Sequence, residues 1–304
     1  MAEHLAGLLA PPFAPLHPDG SLHPERVEPY AAFLARNGVR GAFVNGTTGE
    51  SLSLSVAERK TLAQRWVAAA PQDFAVIVHV GHPCLADSQA LAAHAQEAGA
   101  CAIGAMAPCF FKPASACDLA DWCAEVAAAA PELPFYYYHI PAMTGVDIPV
   151  ADFLRAAADR VPSLAGAKFT YEDLMDYTRC VGMEGGRYDM LFGRDEILLS
   201  ALVLGARGAI GTTYNFAAPL FLRVLEAYRA GDLARARAEQ ARAAEMVATL
   251  AAHGGVPVFK AAMRLAGFDC GPVRLPLRDL GGDQVAALRA DLERIGFFET
   301  CCRP

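Results

Sequence analysis

Short apolar runs recur along the chain, each followed by a polar or glycine-rich loop and then by a longer stretch with helical periodicity. Eight of them read as strands: residues 5–10, 41–44, 74–80, 101–107, 135–139, 164–168, 190–192 and 208–212. Helical spacing fills the intervals at 24–37, 56–70, 87–98, 116–130, 149–160, 171–182 and 195–205. Strand and helix in strict alternation predict a parallel sheet. Eight such units close most economically as a (β/α)8 TIM barrel, an α/β fold. After residue 212 the pattern changes to helices at 218–230, 233–252, 257–265 and 283–295 without strands between them. The expected organisation is a catalytic barrel over 1–217 and a C-terminal helical extension over 218–304.

Boundary signals support this reading. Asn37-Gly38-Val39, Ala98-Gly99-Ala100 and Leu204-Gly205-Ala206 each place glycine at a helix end just before a strand, where it adopts the left-handed conformation without a Cβ penalty. Ser55-Val56-Ala57-Glu58 has capping-box spacing, and Pro24 suits a first helical turn. No G-x-G-x-x-G follows a strand, which argues against a dinucleotide-binding sheet.

Composition narrows the function. The 304 residues are 54% apolar, enough for a large core. The net charge of -7 and the lack of a basic cluster exclude the cationic footprint that nucleic acid or an anionic membrane needs. No run approaches the roughly 20 apolar residues of a membrane span. Residues 1–4 lack the basic start of a secretory signal, so a cytoplasmic location is expected. Nine cysteines without a C-x-x-C pair predict reduced thiols in small core spaces, with Cys301 and Cys302 exposed in the tail. His79, His82, His94 and His139 lack H-E-x-x-H spacing, so no metal is expected.

One residue stands out against this background. Lys168, one of only four lysines, falls at the end of the sixth strand, where burial would lower its pKa and free the amine to attack a carbonyl. Active centres of parallel barrels lie at the C-terminal ends of the strands. Tyr136 and Tyr138 share one face of the fifth strand, and Leu164, Gly166 and Lys168 one face of the sixth. Neighbouring strands lie about 4.8 Å apart, so Tyr138 can shuttle protons for Lys168. The loop Asn45-Gly46-Thr47-Thr48-Gly49-Glu50-Ser51 can cradle a carboxylate with its hydroxyls and N–H groups. Gly193-Arg194-Asp195-Glu196 and Gly211-Thr212-Thr213 give the rim a polar character suited to a polyol, although Asp195 and Glu196 also fit a helix start electrostatically.

Five motifs occur in order: Gly46-Thr47-Thr48-Gly49-Glu50, Tyr136 through Gly145, Gly166-Ala167-Lys168-Phe169, Phe192 through Glu196, and Gly211 through Asn215. Together they resemble the pyruvate-dependent class I aldolase family of N-acetylneuraminate lyase and dihydrodipicolinate synthase, and the likeness points to the lyase branch. The resemblance implies Lys168 as Schiff-base lysine, Tyr138 as acid/base, and Thr47 and Thr48 as carboxylate binders. It implies Gly193, Asp195, Glu196 and Thr212 as sugar-side contacts, and Thr170 near the C4 hydroxyl. The implied reaction is reversible cleavage of N-acetylneuraminate to N-acetylmannosamine and pyruvate, without cofactor, in a homotetramer. Another keto-deoxy sugar acid aldolase or dehydratase, or a non-catalytic binder, stays open as an alternative. Met143 replaces the arginine of dihydrodipicolinate synthases, and Phe110 replaces a tyrosine that reaches across a subunit contact in many relatives.

Overall fold

The computed structural model describes residues 4–303, so most of the 1–4 segment considered above lies outside the described residues. Its strands are β1 Gly7–Ala10, β2 Gly41–Val44, β3 Ala75–His79, β4 Ala102–Met106, β5 Phe135–His139, β6 Leu164–Phe169, β7 Asp189–Phe192 and β8 Gly208–Ile210. Each pairs in parallel with the next, and β8 pairs with β1 to close the barrel. The helices are α1 Val27–Arg36, α2 Val56–Ala69, α3 Leu85–Glu97, α4 Ala116–Ala128, the single turn α5 Pro141–Thr144, α6 Val150–Ala157, α7 Leu174–Gly182 and α8 Leu198–Val203. The chain ends with α9 Tyr214–Arg229, α10 Leu233–His253, α11 Val256–Leu265, α12 Gly282–Arg294 and the short α13 Phe297–Thr300. Among the described residues no single helix is long and apolar enough to cross a membrane.

Alternation along the strands builds two separate cores. Phe43, Tyr136, Tyr138, Leu191 and Ile210 point into the barrel and pack together, while Phe135 and Tyr137 point outward against the helices. Fully burying each large apolar side chain contributes about 1.5–3 kcal/mol. The expected punctuation is present: Gly38, Gly99 and Gly205 all have positive φ, and Ser55 and Glu58 form a reciprocal capping box. The interval at 171–182 is helical only from Leu174, because the Asp173 carboxylate accepts from the Met175 and Asp176 N–H groups and starts the helix there. The expected division at 217 falls inside α9, where Ala217 departs from helical geometry.

Two expectations require correction. Leu164 does not share a face with Gly166 and Lys168: Phe135 pairs with Leu164 but Tyr136 with Gly166, so Ala165 is an extra residue in a bulge. The bulge turns Leu164 into the outer core and Ala165 toward the lumen, a one-residue flip that follows from the period of 2. Cys301 and Cys302 are buried instead of exposed. Phe297 packs against Phe216, and the tail is tied down by Cys302 N–H donating to Phe216 O and by a reciprocal pair between Asn37 and Arg303. Cys84, Cys101 and Cys117 are exposed and fill no core space.

Candidate active site at the barrel mouth

Lys168 is the penultimate residue of β6, pairs with Tyr138 of β5 on one side and Leu191 of β7 on the other, and is 3% exposed. Its Nζ lies 4.0 Å from the centre of the Tyr138 ring and 4.2 Å from that of Phe43. Burial lowers the pKa of the amine to about 7, with Asp195 opposing. A substantial fraction is therefore unprotonated near neutrality, which is the form that attacks a carbonyl.

Tyr138 supplies the hydroxyl next to it. Burial raises its pKa to about 12, moderated by a 3.2 Å hydrogen bond between its OH and Thr47 Oγ1. The phenol therefore stays protonated near neutrality. The Thr47–Gly49 segment is a 3-10 turn directly after β2, and Thr48 Oγ1 lies 2.7 Å from Thr212 Oγ1 beyond β8. Two hydroxyl pairs thus link the β2 loop to opposite sides of the mouth.

A cavity of about 360 Å³ opens beside the amine, lined by Lys168, Thr170, Gly193, Asp195, Glu196 and Thr212. Six of the residues singled out in the sequence meet there. Among the described residues Thr170 Oγ1 is buried without a well-formed hydrogen bond, near enough to Tyr138 to help Thr47 lower the phenol's pKa against burial, and a Cβ at position 193 would strike it, so glycine is required beside the threonine. Thr47 instead faces a second cavity of about 270 Å³, together with His79, Met106, Cys109 and Met143.

The two rim carboxylates differ. Asp195 Oδ2 accepts from Thr213 N–H at 2.9 Å and from Thr213 Oγ1 at 2.6 Å, so this group is held in place and buried instead of capping the turn that it begins. Burial raises its pKa to about 6 against those bonds. Glu196 is half-buried and paired with Arg194, which also contacts Glu172.

Several contributors had no motif to announce them. Phe43 forms the floor under the amine, a role that the alternation in β2 places inside the barrel but does not specify. Val247, Ala251 and Phe259, from α10 and α11, form the apolar wall of the larger cavity, although their spacing in sequence shows only helix periodicity. His79 is buried beneath the β2 loop, its Nδ1 2.8 Å from Asn45 O, and burial pushes its pKa well below the usual value. His139 is likewise lowered by burial, to about 4. Both are neutral imidazoles at pH 7.

A closed parallel barrel with a dry lysine at the end of its sixth strand defines a barrel enzyme scaffold with a candidate nucleophile. Residues 4–295 match the dihydrodipicolinate synthetase family, and the chain belongs to that family. It is 43% identical to the N-acetylneuraminate lyase of Rattus norvegicus over 97% of this chain and 94% of that one. The structure of Proteus mirabilis N-acetylneuraminate lyase superimposes with a TM-score of 0.94 at 40% identity, covering 97% of this chain and all of the other, 100%. A catalytic-lysine mutant of the Ruminococcus gnavus sialic acid aldolase superimposes at 0.90 with 29% identity, covering 97% and 96%.

Proposed function

We propose that the chain is a Schiff-base carbon–carbon lyase that reversibly cleaves N-acetylneuraminate to N-acetylmannosamine and pyruvate. The observation that carries this reading is the buried Lys168 amine, with its pKa near 7, between the rings of Phe43 and Tyr138. The full-length likeness to N-acetylneuraminate lyases supports the choice of substrate. The side chain of Met143 at the mouth offers no cation for a second substrate's carboxylate, which favours the lyase over the synthase reaction.

Lys168 attacks the C2 ketone of the open-chain sugar acid, and loss of water gives a protonated imine. Thr47 and Thr48 hold the carboxylate, while Thr170, Gly193, Asp195, Glu196 and Thr212 receive the polyol arm along the larger cavity. As the C3–C4 bond breaks, its electron pair moves into the imine to give an enamine. Tyr138 accepts the C4 hydroxyl proton while its own proton passes along the hydrogen bond shared with Thr47 to the substrate carboxylate held there, and the same relay runs back to supply the proton that C3 takes next. The aldehyde N-acetylmannosamine leaves, the enamine takes a proton at C3, and water releases pyruvate and the free amine. Holding amine and carboxylate sites in one geometry supplies several kcal/mol of barrier reduction.

No resident cofactor enters this sequence of steps. A cytoplasmic homotetramer fits the reading, and the exposed pair Phe110 and Phe111 is suited to a subunit contact. Incubation with pyruvate and borohydride, followed by peptide mass mapping, tests the proposal: a reduced adduct on Lys168 is expected, and its absence overturns it. Aldehyde release across a panel of sialic acids and unacetylated keto-deoxy acids tests the substrate.

A further inference from the structure

The loop that carries Thr47 and Thr48 is held from behind by a buried ion pair that the reaction itself does not use. Glu50 closes the Thr47–Gly49 turn in the left-handed conformation, at φ 56°, and its side chain is 1% exposed. Lys260, on α11 of the extension, is 3% exposed and places its Nζ 3.2 Å from Glu50 Oε1. The same ammonium donates to Ala14 O, beyond β1, at 2.9 Å and to Pro272 O in the segment after α11. Glu50 Oε2 accepts from Arg274 N–H at 2.8 Å. The Arg274 guanidinium then reaches Ser53 O and both oxygens of Glu58, fastening the far end of the loop to α2. Three segments distant in sequence, the β1 exit, the β2 loop and the extension, meet at one pair of charges.

Burying two opposite charges is weak as a source of stability, because desolvation offsets most of the Coulomb attraction; its best-attested use is to fix one arrangement. Here the arrangement fixed is that of two hydroxyls only two and three residues from Glu50. We propose that Glu50 and Lys260 are positioning residues that hold the Thr47-Thr48 loop in its carboxylate-binding geometry, so that the C-terminal extension is a working part of the active site. This rests on the aldolase reading for its catalytic consequence, but not for its structural one.

The test uses the full chain with Glu50→Gln, which keeps the shape of the pair, and the double variant Glu50→Gln/Lys260→Met, which leaves no uncompensated buried charge. The pyruvate concentration for half-maximal borohydride trapping should rise about tenfold in the double variant, while trapping at saturating pyruvate stays within about threefold. The pH midpoint of trapping should not move, since the surroundings of Lys168 are untouched. Hydrogen exchange at 45–53 should accelerate about tenfold, with β6 and α4 unchanged. A folded variant with half-saturation within twofold of wild type, or with unchanged loop exchange, overturns the proposal. Should the double variant fail to fold, the single variant carries the same readouts. Should the wild type form no adduct, the aldolase reading falls and loop exchange alone decides this one.

Discussion

Tyr136 and Tyr138 stand two residues apart on one face of β5, yet the two ends of the barrel treat them differently. At the N-terminal end, Tyr136 OH donates to Asp189 Oδ2 at 2.9 Å, and Leu5 N–H donates to the same oxygen. Gly166, paired with Asp189 on β7, lies so close to the Asp189 backbone that no Cβ fits. At the mouth, one turn of the pleat further, the Lys168 amine faces two aromatic rings, Thr170 Oγ1 makes no well-formed hydrogen bond among the described residues, and the Tyr138 hydroxyl lies next to Thr47. Phenol with carboxylate at one end is a satisfied structural pair, whereas phenol with an amine that is only partly protonated near neutrality leaves bonding capacity for a substrate at the other. Unspent capacity in a dry place separates the site from the scaffold.

This contrast is broken most directly at Lys168. Lys168→Met should lower turnover on the order of 10³-fold or more and abolish borohydride trapping, as measured by aldehyde release and mass mapping. Unchanged turnover would refute the nucleophile assignment. Tyr138→Phe should cost roughly 10²–10⁴-fold in kcat, the range of a proton-transfer group, with little change in fold. Lys168→Met should also be more stable than the native chain. The unfolded amine holds its proton up to about 10.5 and the folded one only up to about 7, so native stability rises with pH between these values. Below about 7 both states are protonated and the cost of burial is complete. The stability gain should therefore reach about 2–4 kcal/mol at pH 7 or below and shrink toward pH 10, checked by denaturant unfolding.

The opposite end should give the opposite pattern. Tyr136→Phe removes a donor from a buried carboxylate and should destabilise the fold by about 1–3 kcal/mol while leaving kcat within a few-fold of native. A large loss of kcat with unchanged stability would erase the distinction between the two ends. The native chain itself supplies a pH test: trapping at saturating pyruvate should fall by up to about tenfold per unit below pH 7 and level off above it, as the free amine is titrated. A flat profile from pH 5.5 to 8 would mean that Lys168 is not the titrating nucleophile.

Much of this is legible in the amino-acid sequence. The eight strands followed from apolar runs, the left-handed Gly38, Gly99 and Gly205 from their places at helix ends, and Lys168 from an ammonium at the end of a strand that should be buried. The bulge at Ala165 was not, because alternation is uninterrupted in sequence when the extra residue is a small apolar one. Nor was the burial of Cys301 and Cys302, which depends on Phe297 finding Phe216 more than 80 residues upstream.

The sequence by itself determined the local order: which segments are strand or helix, where they turn, and which residue types stand at the strand ends. Those properties depend on backbone conformation and the period of nearby side chains, information carried within a few residues. Only the tertiary structure decided which charges meet and which are left alone. Glu50 met Lys260, Asp195 met Thr213, and the Lys168 amine came to lie against the rings of Phe43 and Tyr138 beside the cavity. Desolvation and Coulomb attraction depend on distance in space, and closing the barrel set those distances.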